Sequence, residues 1–326
     1  MSGRNQYGTD DSRGKLPIDD SNFFLLVTNI VGSVIGIPLN FLIAILIISL
    51  RRLHSKSRNI FILAVIFSNL LSFLPTVIQL VYWCYPIESL RQIYIETVGL
   101  PPVVLLFSAL LGLIDRYVAM QYPLWRRKKI TIRRVRIGCF LMFASVIAPL
   151  LLRVLYIAVG LSPAPGRDAE IAETKVREWI KIVLFVSCIV IHSTVYRKTR
   201  NLLRETNSII EEENTVNDEF RPTPPTSCVN NGIGKEVETA RTWVVVVAVF
   251  ILTTCPVVFF ASALAFCYLI NYVDCVDYFN WMTLYAEQLV YIIHAACNPV
   301  VWLVKNDELQ FVFKTRSNRI SLRMLE

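Results

Sequence analysis

Seven stretches of the chain, residues 23–50, 59–87, 97–114, 137–158, 179–196, 242–270 and 278–303, are free or nearly free of charge. A helix needs about 20 apolar residues to cross the hydrocarbon core of a bilayer, and lipid offers backbone N–H and C=O groups no partner outside their own helix. The expected fold class is therefore an all-α membrane protein, a bundle of seven transmembrane helices. The competing expectation, a water-soluble helical protein, would have to bury all seven stretches at once. With 54% of residues hydrophobic, against about 45–50% in soluble domains, too little polar surface remains to cover them. Arg153 and Glu287 interrupt the fourth and seventh stretches, and Lys181 and Arg197 flank the fifth.

The basic residues orient the bundle. Arg51, Arg52, Lys56 and Arg58 lie in the first connection, and Arg126, Arg127, Lys128, Lys129, Arg133, Arg134 and Arg136 in the third. The alternate connections are mixed or acidic, so the positive-inside rule places the N-terminus outside and the C-terminus inside. The net charge of +8 then belongs to the inner membrane surface. It does not point to nucleic acid, because the basic clusters flank spans and no nucleic-acid module pattern appears.

The organisation expected is an extracellular N-terminus (1–22), a membrane domain (23–304) and a short cytoplasmic tail (305–326). The spans are expected at about 23–50, 59–83, 92–120, 136–158, 178–202, 238–270 and 278–303. A disordered cytoplasmic loop is expected at about 205–234, where Glu211-Glu212-Glu213 is followed by the proline-rich Arg221-Pro222-Thr223-Pro224-Pro225. After the last span, Leu309, Val312 and Phe313 fall at helical spacing among polar residues. They predict a short amphipathic helix lying on the inner membrane surface.

Asp115-Arg116-Tyr117 stands at the inner end of the third span, and Pro123-Leu124 follows before the burst of Arg and Lys. Charged residues at a span end can simply snorkel to water. An acid–arginine pair at that boundary is nevertheless costly to hold, and a second acid, Glu236, stands twenty residues before Pro256 at the foot of the sixth span. The arrangement resembles the inner end of rhodopsin-like (class A) G-protein-coupled receptors. There the resemblance implies that Arg116 reaches both Asp115 and Glu236, and that Pro123 ends the helix and presents Leu124 to a G-protein α subunit.

Other spans carry the same resemblance with departures. Asn298-Pro299-Val300-Val301-Trp302 is similar to the family's Asn-Pro-x-x-Tyr motif, with Trp302 in place of the tyrosine. An indole only donates where a phenol also accepts, which weakens the link to Tyr196 that the family implies. Span six has Phe250 below the kink proline Pro256, but Thr253-Thr254 where the family has Cys-Trp. Gly36 and Asn40 resemble the signature of span one. Asn69 replaces the aspartate of span two and cannot anchor a sodium ion through full charge.

The family register implies an outer ligand cavity lined by Gln79, Trp83, Val98, Pro102, Thr254, Val258, Gln288 and Tyr291. Val98 stands at the amine receptors' aspartate and Ile292 at the opsins' lysine, which argues against a monoamine or retinal. Gly99, Pro101 and Pro102 are foreign to the family and should distort span three. The family's usual disulfide is absent, since its span-three position is Arg91. A compensating bridge is expected between Cys267 and Cys275, with Cys84–Cys275 as the second choice. The histidines His54, His192 and His294 are scattered without metal-ligand spacing. No phosphate loop or Gly-x-Ser-x-Gly appears, so no metal, cofactor or enzyme activity is expected.

The resemblance implies a plasma-membrane receptor that binds an extracellular ligand and activates a heterotrimeric G protein by outward movement of span six. Two alternatives are a seven-span transporter or channel, which needs midplane charges or paired broken helices, and a receptor-fold protein that binds without signalling.

Overall fold

The computed structural model describes residues 23–50, 53, 55–159, 167–217, 227–270, 273–306, 309–311 and 313. Ten helices are described: α1 (Phe23–Ser49), α2 (Ser57–Ser72), α3 (Leu74–Cys84), α4 (Glu88–Val98), α5 (Leu100–Gln121), α6 (Pro123–Lys129), α7 (Ile132–Ala158), α8 (Arg167–Asn217), α9 (Ser227–Ile270) and α10 (Val273–Lys305). They supply seven helical units long and apolar enough to cross a membrane. Span two is α2 with α3, span three is α4 with α5, α6 is a short connection, and spans four to seven are α7 to α10. No strand is present among the described residues.

Side-chain chemistry is turned inside out relative to a water-soluble bundle. Val34, Phe140, Leu252 and Phe259 face outward, where in water they would be aggregation sites. Asn29, Asn40, Ser68, Asn69, Gln79, Ser108, Gln288 and Asn298 are buried between helices. The helices close in a ring: one on two and seven, two on three, three on five, five on six, six on seven. Span four packs on the outside against two and three and is the least buried.

Both broken spans break beside a proline. Span three is interrupted at Gly99, one residue before Leu100-Pro101-Pro102 opens α5. The distortion expected from the prolines thus appears as a joint ahead of them. A proline in the first turn of a helix has no intrahelical bond to lose. Pro75 does the same for span two, where α2 ends at Ser72 and α3 begins at Leu74. Pro38, Pro149, Pro256 and Pro299 sit inside helices that continue through them.

The segment expected to be unstructured at 205–234 differs. Span five is helical as far as Asn217, and span six is helical from Ser227; residues 218–226 lie outside the described residues. Extending a helix already formed in the membrane costs only propagation, not nucleation, and no glycine or proline occurs between Arg167 and Asn217. Of the expected inner-surface helix, Leu309 is fully buried, and its N–H reaches Asn306 Oδ1 at 3.3 Å. Val312 lies outside the described residues.

Candidate functional site

At the basic end of the bundle, α5 stops at Gln121 because Tyr122 leaves helical geometry (φ −134°, ψ 62°) and Pro123 opens α6. The sharp turn folds α6 back so that Arg126 lies over Asp115. Arg116 Nη2 donates to Asp115 Oδ2 at 2.5 Å, while Arg126 donates through Nε to Oδ1 and through Nη2 to Oδ2, both at 3.2 Å. Arg126 Nη2 also donates to Ser57 Oγ, at the first residue of α2, at 2.9 Å. One carboxylate, itself 3% exposed, therefore joins two guanidinium groups and ties span three to the foot of span two. Bonds between ionised partners of this kind are about twice as strong as neutral ones.

Leu124, on the same short helix, is 73% exposed, and Pro123 beside it is exposed as well. Tyr117 is half-buried. Lys198 on span five donates to Gln121, and Thr242 Oγ1 on span six donates to the Lys305 carbonyl at 3.0 Å, closing the remaining helix ends. The side chain of Glu236, expected opposite Arg116, lies outside the described residues.

Deeper in, Trp302 fills the place where the expected motif has a tyrosine. Its ring meets Trp243 edge-on, with centroids 5.0 Å apart and an interplanar angle of 69°. Both indoles are almost fully buried. Trp243 also lies on Gly112 of span three, where an added Cβ would sit 2.4 Å from Cη2 of the ring. Three spans thus meet at a glycine and two tryptophans. Phe250 stacks at a tilt on His294 of span seven, 5.0 Å away. Asn298 and Pro299 are buried, while Pro256 faces outward. Tyr196 is 48% exposed on the outside of span five.

In the opposite half, the amides expected to face a ligand bond to one another. Gln79 Oε1 accepts from Asn29 Nδ2 at 3.0 Å and from Gln288 Nε2 at 2.6 Å, and Gln288 Oε1 accepts from Tyr94 at 3.1 Å. The network joins spans one, two, three and seven. Val98 packs with Tyr94 and Leu284 in a small apolar cluster. Pro102, Thr254, Val258 and Tyr291 are buried, and Trp83 is half-buried. An apolar groove of about 490 Å³ opens on the outer face between spans one, two and four. None of the eight expected ligand residues lines it.

Charges that the sequence reading treated as interruptions are paired here. Lys181 on span five lies 2.7 Å from Glu178 and also donates to Glu287 on span seven, and all three are 2–3% exposed. Arg153 on span four meets Glu96 on span three at 2.8 Å. Cys267 and Cys275 form a disulfide with Cα atoms 5.7 Å apart. Among the described residues, no group of three or more His, Cys, Asp or Glu is placed to hold a metal ion.

Sequence reasoning missed Arg126, Ser57, Lys181 and Glu178. Arg126 carried a signal: eleven residues after Asp115, across a proline turn, it is within reach of the acid once the chain reverses. The Lys181–Glu287 pair carried only the fact that each charge, alone in lipid, would need a partner.

A family model described as 7 transmembrane receptor (rhodopsin family) matches residues 39–302. No curated protein matches the chain.

Proposed function

We propose that this chain, which belongs to the rhodopsin family of seven-transmembrane receptors, carries an extracellular signal across the plasma membrane to a heterotrimeric G protein. The reading rests on one observation above the others. The Asp115 carboxylate is shared by Arg116 and Arg126, and Arg126, two residues after the exposed Leu124, also donates to Ser57. That arrangement fits a closed state in which the arginine at the bundle's inner end is held by its own neighbour. Opening span six would uncover Arg116, and Leu124 would enter a groove on the G protein as an apolar anchor. Ligand binding would bias these two states by its difference in affinity for them.

Purified chain in lipid nanodiscs, assayed for nucleotide exchange on a panel of heterotrimeric G proteins, tests the reading. Exchange above the protein-free rate on at least one member is expected. A second reading, a receptor fold that binds without signalling, is favoured by the Trp243–Trp302 contact over Gly112. Those rings hold span six to spans three and seven where the family's motif has a phenol. No exchange on any G protein, from correctly folded chain and its Trp302→Tyr variant alike, would favour that second reading.

A further inference from the structure

Glu178, Lys181 and Glu287 take no part in the inner-end cluster, yet they are the most deeply buried charges in the outer half of the bundle. Lys181 is placed between the two carboxylates, one on its own helix and one on span seven. Within the fully buried set, two negative charges face one positive charge. Glu178 Oε2 is buried and has no hydrogen-bond partner. Among the described residues, Arg177 is a second cation of the cluster, 3.9 Å from the other oxygen of Glu178. Its guanidinium is wedged over Gly99 at the joint of span three, where an added Cβ would lie 2.8 Å from Cζ, and its Nε is buried without an acceptor.

Such a cluster is a poor way to gain stability. Burying charges costs more in lost hydration than an apolar contact of the same volume, and replacing a buried ion pair by packed apolar residues is often neutral or stabilising. A charge held inside a transmembrane bundle is by default a functional group. A buried carboxylate oxygen lacking any donor, on an acid whose second cation stands only at 3.9 Å, matches a cation bearing N–H groups.

We propose that Glu178 and Glu287 are the recognition site for the positively charged group of the extracellular ligand, a guanidinium or alkylammonium, and that Lys181 occupies the site when no ligand is bound. This inference rests on the receptor reading and names the chemistry of its ligand. The incoming cation takes Glu287 and the spare oxygen of Glu178, and Lys181 gives up Glu287 but keeps the other oxygen of Glu178. Spans five and seven flank span six and pack against it. The Lys181–Glu287 bridge is therefore a strap across the inner side of the element that must move, and ligand binding unfastens it. The ligand differs from a monoamine held by span three, because Val98 at that position lies in an apolar cluster.

The test uses the full chain in nanodiscs and reads melting temperature, so no G protein is involved. Lys181→Ala removes the internal cation and leaves both carboxylates, which should lower the melting temperature. Ethylammonium chloride, a mimic of the missing side-chain tip, should restore about half or more of that loss with saturation. Sodium chloride at equal ionic strength should not. Restoration should vanish in Lys181→Ala combined with Glu178→Gln. An ethylammonium response no larger than that of sodium would overturn the assignment.

If Lys181→Ala does not fold, the unsubstituted chain decides. Benzylguanidinium should raise its melting temperature saturably, benzoate should not, and Glu178→Gln should abolish the shift. No shift with benzylguanidinium, or an equal one with benzoate, would overturn the proposal. Nucleotide exchange that persists alongside such a negative result would leave the receptor reading intact and reject only the ligand chemistry.

Discussion

Asp115 and Glu287 are both carboxylates less than 5% exposed and bonded to basic side chains, yet they are assembled in opposite ways. Asp115 is paired with its own neighbour and with an arginine eleven residues on, at a helix end. Glu287 is paired with a lysine 106 residues away, part-way along two spans. At the helix end, a second guanidinium, Arg126, already shares the carboxylate and is itself 18% exposed, so partners can be exchanged at modest cost. Within the bundle, an unpaired charge has nowhere to go. The first arrangement suits a switch that opens repeatedly, and the second suits a contact that only a competing charge can open.

The sharpest way to break this contrast is to remove one partner from each cluster. Lys181→Ala leaves the Glu178 and Glu287 carboxylates without the buried cation between them, and truncating one member of such a pair costs about 3–5 kcal/mol. The expected outcome is the largest fall in thermal stability of any single substitution proposed here. A triple replacement, Glu178→Gln, Lys181→Met and Glu287→Leu, should regain most of it by removing the charges together. A Lys181→Ala protein as stable as the parent would show that the cluster is hydrated, and the contrast with Asp115 would collapse.

An intermediate effect is expected at the tryptophan contact. Gly112→Ala places a methyl group 2.4 Å from the Trp243 ring, and a rigid indole cannot yield as a flexible side chain would. Overpacking of this kind costs about 1–3 kcal/mol, and Trp243→Phe should relieve part of it in the double variant. Equal stability of the single and double variants would mean that the three spans do not meet as tightly as the geometry requires.

The smallest effect belongs to Glu96→Gln. Its partner Arg153 is 36% exposed, and pairs open to solvent contribute about 0.2–1 kcal/mol. Thermal unfolding should shift only slightly, and raised salt should shrink the shift further. A loss comparable with that of Lys181→Ala would place this pair in a far drier setting than its exposure indicates.

The contrast also explains what could be read from the chain alone. Span number and helical class were legible because the runs at 23–50 and 242–270 have no alternative in lipid. Asp115, Arg116 and Leu124 were legible because they are neighbours in sequence at a recognisable boundary. The break in span three was legible at Gly99, Pro101 and Pro102 together, while which of the three forms the joint was not, since proline chemistry is apparent locally but its helix register is not. Span five was expected to remain helical only to about residue 202 and runs on to Asn217, because composition reports solubility and not whether a helix has already been nucleated. Gln79 and Gln288 stood out in the sequence as the strong polar groups of the expected outer cavity, but nothing local shows that they bond to each other. Lys181 and Glu287 were not paired for the same reason, since a contact over 106 residues leaves no periodic trace, whereas Glu178 three residues before Lys181 was a local signal left unread.

Basal nucleotide exchange, measured side by side for Asp115→Asn and Leu124→Ala with surface expression monitored, tests the central claim most directly. Neutralising Asp115 releases Arg116 and Arg126 together and should raise basal exchange by about threefold or more, the equivalent of roughly 0.6 kcal/mol at 1.4 kcal/mol per tenfold. Leu124→Ala should lower exchange while leaving expression unchanged, because the side chain is exposed and supports no core. Opposite movements in the one assay are the predicted result. Unchanged exchange in both variants, with normal expression, would contradict the account.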